Sequence, residues 1–503
     1  MSARSETTTA ADPAARDHAP LLERAFDRLP EESAYRIRKI EGTIPPWVRG
    51  SYYLNGPARF HRGDLRYRHW LDGDGMVCAL HFEDAPDEGT PSGETHVEFV
   101  SRWVASAKRQ AEEEAGRALY RAFGTAFPGD QLKHGIGLES PVNVSVYPFA
   151  GKLLAFGEQG LPYELHPRTL ETVGVHTFGR RLNPISPFAA HPHFDPETGE
   201  MVNFGVSFSA RQPCVHFYRF NAAGELQLRR RLPLDAPASV HDFGLSPRYG
   251  IFYLGPYVLD MERMAQPETT LMEALTWKPE QGTRLLIVDR QDGEPVAKIP
   301  LGAGYCLHLV DCFEEDDLLH VDILELDQPI YDQYWLPDLF TEVRSVQPVR
   351  YTVDPAAGKL VQRRGLAEHR LCDFPVVDPR RFGQGDPWFW CLGISASAEP
   401  GRKFFDQVLR ADWRENGYVD CYQAPEGRFL GGEPVFLPDG PETTEPRRGA
   451  VICQELDPQT RTGAFLLFDA FDLAAGPMAR LELEQPVHLG FHTAYQPAWE
   501  RDG

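Results

Sequence analysis

The sequence predicts an all-β protein, a seven-bladed β-propeller, and three observations support this fold class. A short alternating strand, a tight turn and a second strand recur along nearly the whole chain of 503 residues. The chain contains 44 glycines and 43 prolines, so long helices are expected to be few. Hairpins spread evenly over this length suit seven blades of about 65–70 residues each.

The repeated unit is a β-hairpin whose turn residues favour chain reversal. Two clear examples are FYRFNAAGELQLRRRL at 217–232 and VRYTVDPAAGKLVQRRGL at 349–366. Asn, Asp, Pro and Gly in these turns either pre-set φ or tolerate the left-handed region. The WD and kelch signatures are absent and no linker divides the sequence. We therefore expect irregular blades in a single domain that covers residues 21–503.

Three segments depart from the hairpin pattern. Residues 1–20 are rich in Ala, Thr, Asp and Ser, and we expect a disordered tail there. The next segment, LLERAFDRL, has helical spacing. Apolar residues three and four apart also predict a helix over about Ser101–Phe123, with a charged middle. Packing as part of the core or of a cap, and weak peripheral contact with a membrane, both fit this segment.

Composition excludes several classes of function. Asp and Glu number 73 against 51 Lys and Arg, and the formal charge of −22 disfavours binding to nucleic acid. None of the eight cysteines forms a CxxC pair, so we expect reduced thiols, mostly in the core. The N-terminus has no apolar core of a signal peptide, and no apolar run could span a bilayer. The cytoplasm is the expected location.

Four of the 17 histidines stand out by context. His191, His241, His308 and His492 are spaced 50, 67 and 184 residues apart, and each is expected at the start of an apolar strand. A propeller brings the starts of its inner strands together around one axis, so four imidazoles could converge on a metal ion. Such a set suits iron, copper, nickel or zinc and disfavours magnesium or calcium. From spacing alone, four structural histidines remain an equal alternative.

Several further motifs are ordered along the chain, and they are GSYYLNGPARF, HWLDGDGMVCALHF, LLAFGEQGLPYELHPRTLETVG, AHPHFDPETGE, VHDFGLSP, the His308 segment YCLHLVDC, GGEPVFLP and GFH. By these motifs and their order, the sequence resembles the carotenoid cleavage oxygenase family from about Ile44 to Pro497. The resemblance implies a seven-bladed propeller with a small helical cap over the iron face. It also implies one non-haem Fe(2+) per chain and O2-dependent cleavage of a conjugated C=C bond of an apolar polyene, a carotenoid or apocarotenoid, into two carbonyl products.

The resemblance also implies roles for individual residues. The iron ligands match His191, His241, His308 and His492, whereas His193 and His488 do not match. The carboxylates that orient the ligands match Glu158, Asp373 and Glu433, and they are expected to serve His241, His308 and His492.

Four positions depart from the family pattern. Asp373 replaces the usual glutamate and is one methylene shorter, so its strand must approach the histidine or a water must bridge. Val144 replaces a threonine beside the oxygen site, which preserves the crowding and loses a hydroxyl. Leu54 replaces an arginine and Thr493 replaces a glycine. None of these changes replaces one of the four ligands.

Alternative functions remain open. Within the family, the protein could cleave stilbenes or other phenylpropanoids, or could resemble a retinoid isomerase. Outside it, a propeller can serve as a non-catalytic binding scaffold, although a scaffold has no reason to bury a polar cluster. The stilbene-cleaving branch typically carries a lysine just before the first carboxylate, where this chain has Gly157. We therefore expect a carotenoid or apocarotenoid substrate rather than a hydroxystilbene.

Overall fold

Seven antiparallel β-sheets follow one another around a central axis, which confirms the predicted seven-bladed propeller. The computed structural model describes residues 19–27, 29–84, 95–133, 137–209, 211–395, 403–441 and 447–500. Inner strands of neighbouring blades contact one another, so their residues face the axis. The tail predicted for residues 1–20 lies mostly outside the described residues.

Blades 2 to 6 each contain four strands in the described part of the chain. From the outer to the inner edge, the strands of blade 2 are Thr172–Val175, Tyr163–Leu165, Lys152–Phe156 and Ser145–Phe149, and those of blade 3 are Leu226–Pro233, Cys214–Phe220, Met201–Ser207 and His193–Phe194. Blade 4 consists of Pro295–Gly302, Thr283–Asp289, Tyr249–Leu254 and Gly244–Leu245. Blade 5 consists of Lys359–Gly365, Gln347–Asp354, Leu318–Leu326 and Tyr305–Glu315, and blade 6 of Gly417–Gln423, Gln407–Asp412, Trp388–Gly393 and Cys372–Val376.

Blades 1 and 7 have five strands because the two ends of the chain meet there. From the outer edge inward, blade 1 consists of Ser33–Arg36, Thr95–Trp103, Asp74–Asp84, Gly50–Arg59 and Thr493–Pro497, and blade 7 of Ile40–Gly42, Ala479–Glu482, Thr462–Asp469, Ala450–Asp457 and Phe429–Leu437. A C-terminal strand thus forms the inner edge of the first blade, and an N-terminal strand forms the outer edge of the last. Backbone hydrogen bonds between the two ends close the ring.

The long helix expected over Ser101–Phe123 is wrong in its bounds. Residues 101–103 end a strand of blade 1, and the helix is Ala107–Ala115. Ser106 caps its start by accepting a hydrogen bond from the backbone N–H of Arg109, and Gly116 ends it with φ of 64°. Two of its charged side chains, Lys108 and Glu112, are buried, whereas Glu113 and Glu114 are exposed. The other predicted helix is present as Ala19–Phe26, and it buries Leu22 and Phe26.

A cap of loops and short helices covers one end of the propeller. Besides Ala107–Ala115, it contains the helices Met261–Met264 and Leu271–Ala274 and the 3-10 turn Tyr331–Gln333. Buried apolar side chains, among them Met264 and Leu271, join the helices Met261–Met264 and Leu271–Ala274, and Phe123 packs against them. Arg121 ties the parts together by donating to three backbone carbonyls of residues 264–269. The cap therefore has a core of its own.

All eight cysteines are free, and six of them are buried, as expected for core thiols. Among the described residues, none of the helices combines the length and the apolar character needed to cross a bilayer.

Candidate metal centre

The four predicted histidines come from the inner edges of four different blades. His191, His241 and His492 lie one to three residues before the inner strands of blades 3, 4 and 1. The expected position at a strand start is therefore confirmed for these three. It is wrong for His308, which lies within the inner strand of blade 5 where the pairing is irregular between Cys306 and Leu309. That irregularity lets the strand turn one side chain toward the axis.

The four imidazoles converge on one point. Each offers a ring nitrogen, and these four atoms lie within 4.8 Å of one another. The Nε2 atoms of His191 and His241 are 3.0 Å apart. Nε2 of His308 is buried and has no hydrogen-bond partner among the described residues. Four ring nitrogens at this spacing, one of them an orphaned buried atom, fit a bound transition-metal ion, and among the described residues this is the one such group of metal-binding side chains.

Three carboxylates contact the far side of three of the rings. Nδ1 of His241 lies 3.0 Å from Oε1 of Glu158, and Nδ1 of His308 lies 2.5 Å from Oδ1 of Asp373. Nδ1 of His492 lies 3.4 Å from Oε2 of Glu433. A carboxylate at Nδ1 holds the proton there and leaves Nε2 directed toward the cluster. The pairing is the one expected from the sequence.

Every blade of the propeller contributes to this site. Glu158 follows the second strand of blade 2, and Asp373 and Glu433 lie on the inner strands of blades 6 and 7. Both inner strands have irregular pairing at these residues. Phe374 adopts φ of 59°, which is unusual for a bulky side chain. This local kink brings the short side chain of Asp373 directly to His308, so no bridging water is needed.

Burial and neighbouring charges set the protonation of the cluster. Burial and the adjacent imidazoles hold the pKa of His191 well below its usual range, and burial also lowers the pKa of His492. Burial opposes the charged form of His308 as well, but Asp373 outweighs it and raises the pKa of His308 to about 9. The same contact, against the effect of burial, lowers the pKa of Asp373. Neutral His191 and His492 are ready donors, whereas His308 must release a proton when a metal binds.

Besides Asp373, the three other departures from the family pattern, at Val144, Thr493 and Leu54, are all buried. Val144 is buried, and its carbonyl accepts the backbone N–H of His492 at 3.2 Å. Thr493 donates from Oγ1 to the backbone carbonyl of Glu433 at 2.9 Å, so it ties the strand after His492 to the neighbouring blade. Leu54 is buried against Gly490, where a Cβ atom would lie 2.4 Å from Cδ1 of Leu54.

Several residues beside the cluster were not predicted from the sequence. Asp242 is buried and lies 3.4 Å from Nε2 of His193 and 3.9 Å from Nδ1 of His191. Tyr331 of the cap packs with its ring 6.4 Å from that of His241. Tyr334 hydrogen bonds to Asp373, and burial together with that carboxylate raises the pKa of its phenol. An acid directly after a candidate ligand was the only local signal for Asp242.

An apolar cavity adjoins the cluster. It is lined by Leu307, Leu324, Leu326, Ile330, Tyr334, Phe340, Val346, Leu371, Cys372, Asp373 and Phe405. Only Asp373 among these side chains carries a charge, and that carboxylate is occupied by His308. The ring of Phe374 packs on His308 and His492, with centroids 5.5 and 5.3 Å apart. The side of the cluster next to Asp373 and Phe374 is therefore mostly apolar.

Comparison with known proteins places this site in context. The apocarotenoid-15,15'-oxygenase of Synechocystis is 27% identical, over 94% of this chain and 95% of its own length. The isoeugenol monooxygenase of Pseudomonas putida is 28% identical, over 91% of this chain and 94% of its own. The structure of a cobalt-substituted Synechocystis apocarotenoid oxygenase superposes with a TM-score of 0.84 at 26% identity, over 95% of this chain and 99% of that one.

The histidine cluster at the propeller axis and a cobalt-substituted structural neighbour together identify the centre as a metal site. The sequence also matches the family described as retinal pigment epithelial membrane protein over residues 26–497. This match spans all seven blades and all the residues of the site. The chain belongs to this family, the carotenoid cleavage oxygenases.

Proposed function

We propose that this oxygenase binds one Fe(2+) per chain through His191, His241, His308 and His492 and cleaves a conjugated C=C bond of a carotenoid or apocarotenoid into two carbonyl products. The observation that carries the proposal is the convergence of four buried or nearly buried imidazoles, three of them backed by a carboxylate. A non-catalytic scaffold gives no reason to bury such a cluster.

The donor set favours iron over the hard cations. Four imidazoles offer no oxygen ligand, and magnesium and calcium bind oxygen almost exclusively. When bound, ferrous iron supplies the activation of dioxygen beside an electron-rich double bond. The protein's own contribution is to orient the rings through Glu158, Asp373 and Glu433 and to keep water out through the apolar side chains around them. No general acid or nucleophile is required of the chain.

The apolar surroundings support a polyene substrate. Most side chains that line the cavity beside Asp373 are aliphatic or aromatic, and such surroundings suit an apolar ligand near the cluster. The cap adds an aromatic side chain beside the cluster, because the ring of Tyr331 lies 6.4 Å from that of His241. The similarity to an apocarotenoid oxygenase over nearly the full length agrees with this substrate class.

Cleavage of a phenylpropanoid is the second candidate, and it is favoured by the similarity to an isoeugenol monooxygenase. The local structure at Gly157 disfavours it. A Cβ atom there would lie 2.0 Å from Oγ of Ser140 and 3.2 Å from the backbone nitrogen of Val142. A lysine could enter only if Ser140 moved, so this position offers no amine to a phenolic oxygen.

The proposal is tested with iron-loaded protein and a panel of carotenoids, apocarotenals, hydroxystilbenes and isoeugenol, with product masses and kcat/KM as readouts. We expect about one iron per chain and carbonyl products from an apocarotenoid. His308→Ala should lose iron and activity together because an incomplete site remains.

The matched control is His216→Ala, which removes a buried histidine that stacks on Tyr218 in blade 3. This variant should keep the iron content and the activity of the wild type. Turnover by the His308→Ala variant would refute the proposed iron site with His308 as a ligand. A clear preference for isoeugenol or a stilbene would replace the polyene by a phenylpropanoid.

A further inference from the structure

A buried carboxylate, Asp242, lies between three of the blades that supply the histidines. It follows His241 directly in the chain, and its side chain is 6% exposed. Oδ1 accepts the backbone N–H of Phe243 at 2.8 Å. Oδ2 accepts the backbone N–H of Leu309, the residue after His308, at 2.8 Å. One carboxylate therefore connects blade 4 to the irregular stretch of blade 5 that presents His308.

The same carboxylate also faces the one histidine of the cluster that lacks an acid of its own. Glu158, Asp373 and Glu433 serve the other three rings. For His191, Oδ1 of Asp242 is 3.9 Å from Nδ1, and the two side chains form the only ion-pair contact recorded for this ring among the described residues. At 3.9 Å the oxygen acts on His191 through its negative charge rather than through a direct hydrogen bond. That charge favours a proton on Nδ1 and leaves Nε2 for the cluster.

We infer that Asp242 is a fourth positioning carboxylate of the metal centre, which orients His191 through its charge and His308 through the backbone of Leu309. This inference rests on the proposed metal site. His193 also approaches Oδ1, at 3.4 Å, but its side chain is 37% exposed and its ring is not one of the four that converge in the cluster. The role of Asp242 toward the metal therefore does not depend on His193.

The substitution Asp242→Asn keeps the volume of the side chain but should remove its positioning role. The backbone N–H groups of Phe243 and Leu309 donate to different oxygens of Asp242. Asparagine has one acceptor oxygen, so one of these N–H groups must face an NH2 group and lose its partner. The negative charge beside His191 is lost as well. Changes of this kind behind metal ligands typically weaken metal binding by about 10–100-fold.

The test is a titration of metal-free protein with Co2+, following both the dissociation constant and the visible absorption bands of the bound ion. Asp242→Asn should bind Co2+ about 10–100-fold more weakly, with shifted bands, because two ligands are reoriented. His193→Gln should bind like the wild type.

The matched control is Asp322→Asn, in which another buried carboxylate, which accepts hydrogen bonds from Arg350 at 2.7 and 2.6 Å, loses its charge and one of these two bonds. This variant should unfold at a lower temperature and keep the Co2+ affinity and spectrum. Wild-type affinity and spectrum in Asp242→Asn would overturn the inference, as would an equal loss of affinity in Asp322→Asn or in His193→Gln. If the wild type itself binds no Co2+, the proposed metal site fails and the inference fails with it.

Discussion

The contact between Asp373 and His308 allows a quantitative prediction about the metal centre. Both side chains are buried, and Oδ1 of Asp373 receives Nδ1–H of His308 at 2.5 Å and the backbone N–H of Phe374 at 2.9 Å. Asp373→Asn preserves the volume of the side chain and removes its charge. A hydrogen bond to a charged partner contributes about 1.5–3 kcal/mol and a neutral one about 0.5–1.5 kcal/mol. The difference, about 1–1.5 kcal/mol, corresponds to roughly tenfold in affinity.

The expected result is therefore a loss of iron affinity of about tenfold, rising toward about 100-fold if the ring also turns away from the cluster. The structure further predicts the effect of restoring the family's glutamate. Because the contact is already direct, the extra methylene of Asp373→Glu has no gap to fill, and we expect it to weaken binding through crowding.

Competition for Fe(2+) against a chelator of known affinity, under anaerobic conditions, measures both variants. Asp386→Asn is the control, because Asp386 is also buried in blade 6 and accepts the backbone N–H of Trp388 at 3.1 Å without contacting the histidines. Iron affinity of Asp373→Asn within threefold of the wild type would refute the assignment of Asp373 as an orienting acid. Tighter binding by Asp373→Glu would refute the argument from crowding.

Two further predictions concern stability. Nζ of Lys108 lies 3.0 Å from carboxylate oxygens of both Asp74 and Glu112 in a fully buried cluster, so Lys108→Met should lower the free energy of unfolding by about 3–5 kcal/mol. Adding Asp74→Asn should recover part of this loss, as measured by thermal unfolding. A double variant less stable than the single variant would contradict this. Burial and a neighbouring aspartate raise the pKa of Asp311 from 3.8 to about 7, so its protonated form stabilises the fold below about pH 4 and this contribution is lost as the pH rises through 7. The melting temperature of Asp311→Asn relative to the wild type should therefore increase from pH 4 to pH 8, whereas a constant difference would exclude this titration.

The fold could be predicted from the sequence because each hairpin carries its own local signal. The turn at 221–224 reverses the chain through Asn221, whose side chain accepts the backbone N–H groups of Ala223 and Glu225, and through Gly224 with φ of 78°. Such turns occur in every part of the chain and do not depend on distant contacts. The helix bounds failed for the opposite reason. Residues 101–103 fit helical spacing, but pairing with the neighbouring strand keeps them extended.

The site was predicted in its residues and only partly in its geometry. Family motifs identified the four histidines and their three carboxylates, and the structure brings all seven together. The direct reach of Asp373 depends on a kink with a positive φ at Phe374, which no local sequence rule requires of a phenylalanine. Asp242 was missed because its partners are a backbone amide of the next blade and a ring 51 residues earlier in the chain. Contacts of this kind appear only after the blades have been placed.

The position of the cluster couples the metal centre to closure of the propeller. His492 comes directly before the C-terminal strand Thr493–Pro497, which is held in blade 1 by pairing with Gly50–Arg59. Its backbone carbonyl accepts the N–H of Asn55, and its N–H donates to the carbonyl of Val144 in blade 2. The fourth imidazole therefore reaches the axis only after the two ends of the chain have paired. A ligand that requires all four rings binds the closed ring and not the open one, and so stabilises the closed ring by mass action.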